Sequence, residues 1–170
     1  MKKTKIFIGI SGKMCVGKST ITKLLLAAIP NSGRVSMASP IYKAQDMIYK
    51  EYGMTMEGDK DRDLLIAIGK WGRNISEYFW LEQFGKVCTE SDLEVIICDD
   101  VRFENEAEFF KRHGTLIRLE GAQRGNNVDL SRANDATETS LDNYKFDNVI
   151  HNSLSPEDIC KEIARIMMGE

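Results

Sequence analysis

Residues 12–19 read Gly12-Lys13-Met14-Cys15-Val16-Gly17-Lys18-Ser19 and fit the pattern G-x-x-x-x-G-K-[ST]; no other stretch constrains the fold of this chain so strongly. The run before it, Ile6-Phe7-Ile8-Gly9-Ile10, is apolar and rich in β-branched residues, and reads as a buried strand. The segment after it, Ser19 to Ile29, places Ile21, Leu24, Leu25 and Ala28 on one helical face. Strand, glycine loop and helix in that order form a phosphate-binding loop. Its glycines let the backbone curl until successive N–H groups, across Gly12, Lys13, Cys15, Val16 and Gly17, converge on an anion. The following helix aims its positive end at the same point. Lys18 brings a mobile charge within reach of β- and γ-phosphates, the Ser19 hydroxyl suits Mg²⁺, and Thr20 offers a hydroxyl to an α-phosphate. A chain of this length matches the motif by accident roughly once in a few hundred cases, and the strand-to-helix context lowers that further.

Composition narrows the class. The 170 residues suit one domain, 1–170, with a core large enough to need no disulfide or structural metal. Lys+Arg 23 against Asp+Glu 26 gives a net charge of −3, so the broad basic footprint of a stable nucleic-acid complex is not expected. No apolar stretch approaches the 18 or so residues of a membrane span. Met1-Lys2-Lys3 opens like a signal peptide, but the apolar run that follows breaks at Gly9, Ser11 and Gly12. A cytoplasmic protein is expected. Cys15, Cys88, Cys98 and Cys160 form no C-x-x-C pair, so no zinc site is expected.

The rest of the chain alternates strands and helices. Arg34 to Ala38 reads as a second strand, and Ser39-Pro40 starts a helix with proline in its first turn. Leu64, Leu65, Ile68 and Trp71 recur at helical spacing, and a further helix covers Glu77 to Thr89. Leu93 to Cys98 is nearly continuous apolar sequence, as in a central parallel strand covered on both faces. A helix from Asn105 to His113, strands at Thr115 to Leu119 and Asp147 to Ile150, and a helix opened by Ser155-Pro156-Glu157-Asp158 complete the pattern. This order predicts an α/β, three-layer sandwich with about five parallel strands. The polar stretch 121–144 is long for a connection, and such loops are usually functional.

A second constellation, Asp99-Asp100-Val101-Arg102-Phe103-Glu104-Asn105-Glu106, follows the Leu93–Cys98 run. Ligands of open α/β sheets bind beyond the carboxyl ends of strands. Asp100 is therefore placed to meet Mg²⁺, and Arg102 to face an acceptor across the cleft. Glu104 and Glu106 read as solvated residues of a helix N-terminus.

With these blocks in view, the sequence resembles the deoxynucleoside monophosphate kinases of tailed bacteriophages. The resemblance rests on GISGKMCVGKST, on RDLLIAIGKWGR from Arg62, on DVRFENEAE from Asp100, on DATETSLD from Asp135 and on FDNVIHN from Phe146. It implies a P-loop kinase fold with a helical monophosphate-binding region at about 39–90 and a lid at about 121–144. It further implies phosphoryl transfer from ATP, with Mg²⁺, to a deoxynucleoside 5′-monophosphate. On this reading Lys18, Asp100 and Arg102 are catalytic, Ser19 and Asp100 serve the metal, and Arg73 and Arg102 bind the acceptor. Trp71 and Trp80 lie in the same acceptor region; a ring there can stack on the substrate base, but core packing is the more usual use of such side chains. Arg124, Arg132 and Glu138 are expected in the lid. Where many relatives carry His-x-Ser-Glu, this chain has Asp135-Ala136-Thr137-Glu138. A homodimer is left open, as are two other readings: a P-loop kinase for another small phosphate acceptor or a nucleic-acid end, and a nucleotide-binding switch.

Overall fold

The computed structural model describes residues 5–58, 60–123 and 139–169. At its centre lies β1 (Ile6–Ser11), whose last four residues are all buried. β3 (Val95–Cys98) and β4 (Gly114–Glu120) flank it in parallel register, with Ile6 opposite Val95 and Ser11 opposite Arg118. β2 (Ser32–Arg34) and β5 (Val149–His151) close the two edges, giving a five-stranded sheet in the order β2-β3-β1-β4-β5. Every pairing is parallel. Parallel pairing needs crossovers and buries both faces. One face is covered by α1 (Lys18–Ala28) and by α6 (Pro156–Met168), the last helix. Ile21 and Leu25 from α1 join Ile159 and Ile163 from α6 in one core with Ile8, Ile10, Ile97, Ile117 and Leu119. The other face receives α5 (Glu104–His113), whose Phe110 is fully buried against Gly9. A side chain at Gly9 would lie 2.5 Å from the Phe110 ring, so this layer is set by the absence of one.

The chain divides into two compact units, residues 1–34 with 93–170, and residues 35–92. The first contains the whole sheet with α1, α5 and α6. The second consists of α2 (Ser39–Glu51), α3 (Arg62–Ile75) and α4 (Phe79–Glu90). Its core includes Phe84, fully buried, and Trp80. Asp61 caps α3 by accepting from Leu64 N, and its other oxygen takes the Tyr49 hydroxyl at 2.7 Å, tying α2 to α3.

Two expected boundaries move. The second strand falls at Ser32–Arg34 rather than Arg34 to Ala38, because Ser32, Gly33 and Arg34 are the residues that pair with Val95, Ile96 and Ile97. The last strand falls at Val149–His151, which pairs with Arg118–Glu120. Among the described residues no helix is long and apolar enough to cross a membrane.

Candidate functional site

The phosphate loop leaves β1 at Ser11 and enters α1 at Lys18. Gly12 approaches β4 so closely that a Cβ there would lie 2.5 Å from the Leu119 carbonyl oxygen. Gly17 caps α1 with φ +107, a region that disfavours residues with a side chain. Cys15 accepts a left-handed φ of 59° although it is not glycine. Lys18 folds back over the loop, its Nζ donating to Gly12 O at 2.7 Å and to Lys13 O at 2.8 Å. The loop is thus held curled by its own cation. Ser19 and Thr20 are exposed at the helix start, where the Thr20 N–H donates to Gly17 O at 3.1 Å.

The carboxyl end of β3 supplies the opposite wall. Asp99 is buried and fully engaged, accepting from Thr22 Oγ1 at 3.1 Å and from Arg34 Nε at 2.7 Å. It ties β3 to α1 and β2. Asp100 instead lines a narrow cleft with Ser11, Gly12, Lys18, Arg102 and Arg118. Cys98 Sγ donates to Asp100 Oδ1 at 3.1 Å. Burial, with the Asp100 charge adding to it, pushes the Cys98 thiol well above its usual range, so it stays protonated as that donor. The structure therefore brings together Lys18, Asp100 and Arg102.

Glu106 is not the solvated helix-start residue expected. It is buried, and its Oε2 accepts from Arg102 N at 2.7 Å and Phe103 N at 3.2 Å. Burial raises its carboxyl to about 7, even though those two N–H groups favour the charged form. Glu106 braces the turn that carries Arg102, because α5 packs under the sheet and takes its first turn inside. Glu104 is exposed, as expected.

Arg118 is a cleft residue that sequence reasoning missed. Its side chain is about nine-tenths buried, with Nη1 donating to Ser11 Oγ at 3.2 Å. Glu120 and Asp142 lie 3.7 and 3.8 Å away, and the Phe146 ring centre 5.4 Å from the guanidinium carbon. Asp142 also pairs with Lys13 of the phosphate loop. The signal available in the sequence was one arginine inside the otherwise apolar run Leu116–Leu119. Alternate strand residues face opposite ways, so Arg118 looks into the cleft while Leu119 joins the core below α1 and α6.

On its other side the loop borders a groove of about 320 Å³, lined by Cys15 to Ile21, Leu119, Asn152, Leu154, Pro156 and Ile159. That volume falls at the lower end of the range for small-molecule sites.

No protein-family model and no curated protein sequence matches the chain. Solved structures do. Shikimate kinase from Aquifex aeolicus matches at 20% identity over 96% of this chain and 97% of that chain, with a TM-score of 0.56. Shikimate kinase from Acinetobacter baumannii, in complex with shikimate, matches at 12% identity over 98% and 95%, with a TM-score of 0.57. A gluconokinase from Sinorhizobium meliloti matches at 13% identity over 99% and 97%, with a TM-score of 0.51. The chain has the P-loop kinase fold.

In that fold the remaining expected residues are placed as follows. Trp71 and Arg73 sit exposed on α3 of the helical unit. Trp80 does not offer a stacking face. It is 7% exposed, donates Nε1 to Gly69 O at 2.9 Å, packs where a Cβ on Gly72 would stand, and meets Phe79 edge-on. It is a core residue of that unit, the more usual of the two roles weighed for these rings, and not an acceptor contact. Arg124, Arg132 and Glu138 lie outside the described residues.

The donor set fits Mg²⁺ carried by a nucleotide. Among the described residues no group of three or more His, Cys, Asp or Glu side chains could hold an ion by itself. Mg²⁺ in phosphoryl-transfer sites keeps several waters and takes one or two protein ligands with substrate phosphates. An exposed Ser19 hydroxyl and the cleft-facing Asp100 suit that mode.

Proposed function

We propose that this protein is a nucleoside monophosphate kinase that transfers the γ-phosphoryl group of ATP to a deoxynucleoside 5′-monophosphate, giving the diphosphate and ADP. The observation that carries the reading is the cleft itself: Lys18, Arg102 and Arg118 line it together with Asp100 at the mouth of the phosphate loop, with Glu120 and Asp142 set against Arg118. Three cations gathered at one phosphate loop suit two phosphates meeting there. The resemblance of the DVRFENEAE and DATETSLD blocks to phage deoxynucleoside monophosphate kinases supplies the acceptor class.

Phosphoryl transfer depends on alignment and charge neutralisation more than on a protein nucleophile. ATP lies with its phosphates in the loop, held by backbone N–H groups and by Lys18, which exchanges its carbonyl partners for phosphate oxygens. Its base occupies the groove toward Leu154 and Pro156. Arg102, braced through its backbone by Glu106, and Arg118, packed on Ser11, bracket the acceptor phosphate and the developing charge on the transferred group. Ser19 and Asp100 would hold Mg²⁺, which when bound adds further neutralisation of phosphate charge. The acceptor phosphate is already an anion and needs no general base. Arg73 and Trp71 serve the acceptor from the helical region, and residues 121–144 act as the lid that excludes water.

The test is ADP formation from ATP with a panel of ribo- and deoxynucleoside monophosphates, together with shikimate and gluconate. Turnover with deoxynucleoside monophosphates is the expected result. Turnover confined to the hydroxyl acceptors, or none at all, overturns the proposal.

A further inference from the structure

One buried side chain outside the charged cleft touches both the phosphate loop and the segment leaving β4. Asn152 follows β5 and is 6% exposed. Its backbone N–H donates to Glu120 O at 2.8 Å, which fixes its main chain to the end of β4. Its Nδ2 donates twice, to Val16 O at 3.1 Å and to Ala122 O at 2.7 Å. Two carbonyl acceptors demand the amide nitrogen, so the orientation of the carboxamide follows from chemistry. Gly121, between Glu120 and Ala122, has φ +124, and a Cβ there would lie 2.1 Å from Asn152 Oδ1. The site accepts only glycine beside this asparagine.

Val16 O belongs to the same peptide unit as the Gly17 N–H. No cis peptide is present among the described residues, and in a trans peptide C=O and N–H point in opposite directions. A bond that fixes Val16 O toward Asn152 therefore fixes the Gly17 N–H away from it. Gly17 is the N-cap of α1, so this is the donor at the positive end of the helix.

We propose that Asn152 is a positioning residue for the phosphate loop: its buried carboxamide sets the Val16–Gly17 peptide so that the Gly17 N–H is aimed at nucleotide phosphate, with Ala122 O as its second anchor. This rests on the nucleotide reading above. The effect is on phosphate and not on the base, although Asn152 also borders the groove.

The experiment measures dissociation constants of ADP and of inorganic pyrophosphate by calorimetry for the wild type, Asn152→Ala, Asn152→Asp and Leu154→Ala. Losing a donor to the loop is expected to weaken ADP and pyrophosphate by the same factor, about tenfold, in both Asn152 variants. Leu154→Ala weakens ADP but leaves pyrophosphate unchanged. Apparent affinity falls with the folded fraction, so denaturant titrations of each variant fix that fraction at the calorimeter temperature, and the tenfold loss is expected in variants that are fully folded there. Unchanged pyrophosphate affinity in the Asn152 variants overturns the proposal, and so does failure of both to fold, which makes Asn152 a folding residue only. A wild type that binds neither ligand overturns the nucleotide reading instead.

Discussion

The phosphate loop has two unlike sides. Toward β3, Lys18, Asp100, Arg102 and Arg118 crowd a narrow cleft. Toward α6, Leu119, Leu154, Pro156 and Ile159 wall an open groove of about 320 Å³. The same strand, β4, serves both, with Arg118 on one face and Leu119 on the other. Charge gathered in the cleft can stabilise a charged transition state only where water is scarce, because screening and high dielectric weaken it elsewhere. The groove carries no such gathering of charge. On the proposed reading, chemistry falls to the cleft and retention of the nucleotide base to the groove.

The largest effect expected from breaking this contrast is Lys18→Ala. Removing a preorganised positive donor from a transferring phosphoryl group is expected to lower kcat by about 10²–10³, read by initial rates at saturating ATP. Next, Arg102→Ala should raise the acceptor KM by about tenfold or more, as loss of a charge-assisted bond worth about 1.5–3 kcal/mol implies, while the ATP KM stays near the wild-type value. A change confined to the ATP KM would place Arg102 on the wrong side.

A third prediction concerns the brace under that arginine. The Glu106 carboxyl stands at about 7 in the folded protein against an ordinary 4.5. The folded state therefore holds this proton more tightly than the unfolded chain does. Its contribution to stability is full below about pH 4.5 and declines as pH rises through 7, by up to a few kcal/mol at about 1.4 kcal/mol per unit. Glu106→Gln keeps an acceptor for Arg102 N and should flatten that part of the stability profile in denaturant titrations at several pH values. An unaltered slope would contradict the assignment. The smallest effect is expected in the groove. Leu154→Ala removes three carbons from a partly exposed wall and should raise the ATP KM by about threefold to tenfold, leaving the acceptor KM unmoved.

How much of this was legible in the sequence depends on how local each feature is. The loop from Gly12 to Ser19 was readable because its chemistry sits in eight contiguous residues. The run to Cys98 and the block from Asp100 to Arg102 were readable because a strand end is where parallel sheets hold ligands. β2 was misplaced because Val35 and Met37 are buried without lying in a strand, whereas Ser32-Gly33-Arg34, which resembles a turn, pairs with β3. An edge strand of three residues carries too little periodicity to identify itself. Glu106 was misread, and Trp80 was left between core and acceptor, for the opposite reason: each can pass for a surface or binding residue until its neighbours are known. The Glu106 environment comes from Arg102 and Phe103 across a turn, and that of Trp80 from Gly69 and Gly72 on another helix. Arg118 lay in no motif, and Asn152, though it ends the FDNVIHN block, carried no sign of its role. Their partners, Ser11 and Val16, lie 107 and 136 residues away in the chain.

The central claim is that the cleft joins two phosphates. It is tested most directly by phosphorus-31 NMR of the purified protein with ATP, Mg²⁺ and each deoxynucleoside monophosphate, beside the same deoxynucleoside lacking its phosphate. The account predicts that resonances of a deoxynucleoside diphosphate grow in as those of ADP replace ATP, and that the bare deoxynucleoside remains unphosphorylated. Phosphorylation of the bare deoxynucleoside, or ADP and free phosphate with no diphosphate of the acceptor, would contradict it.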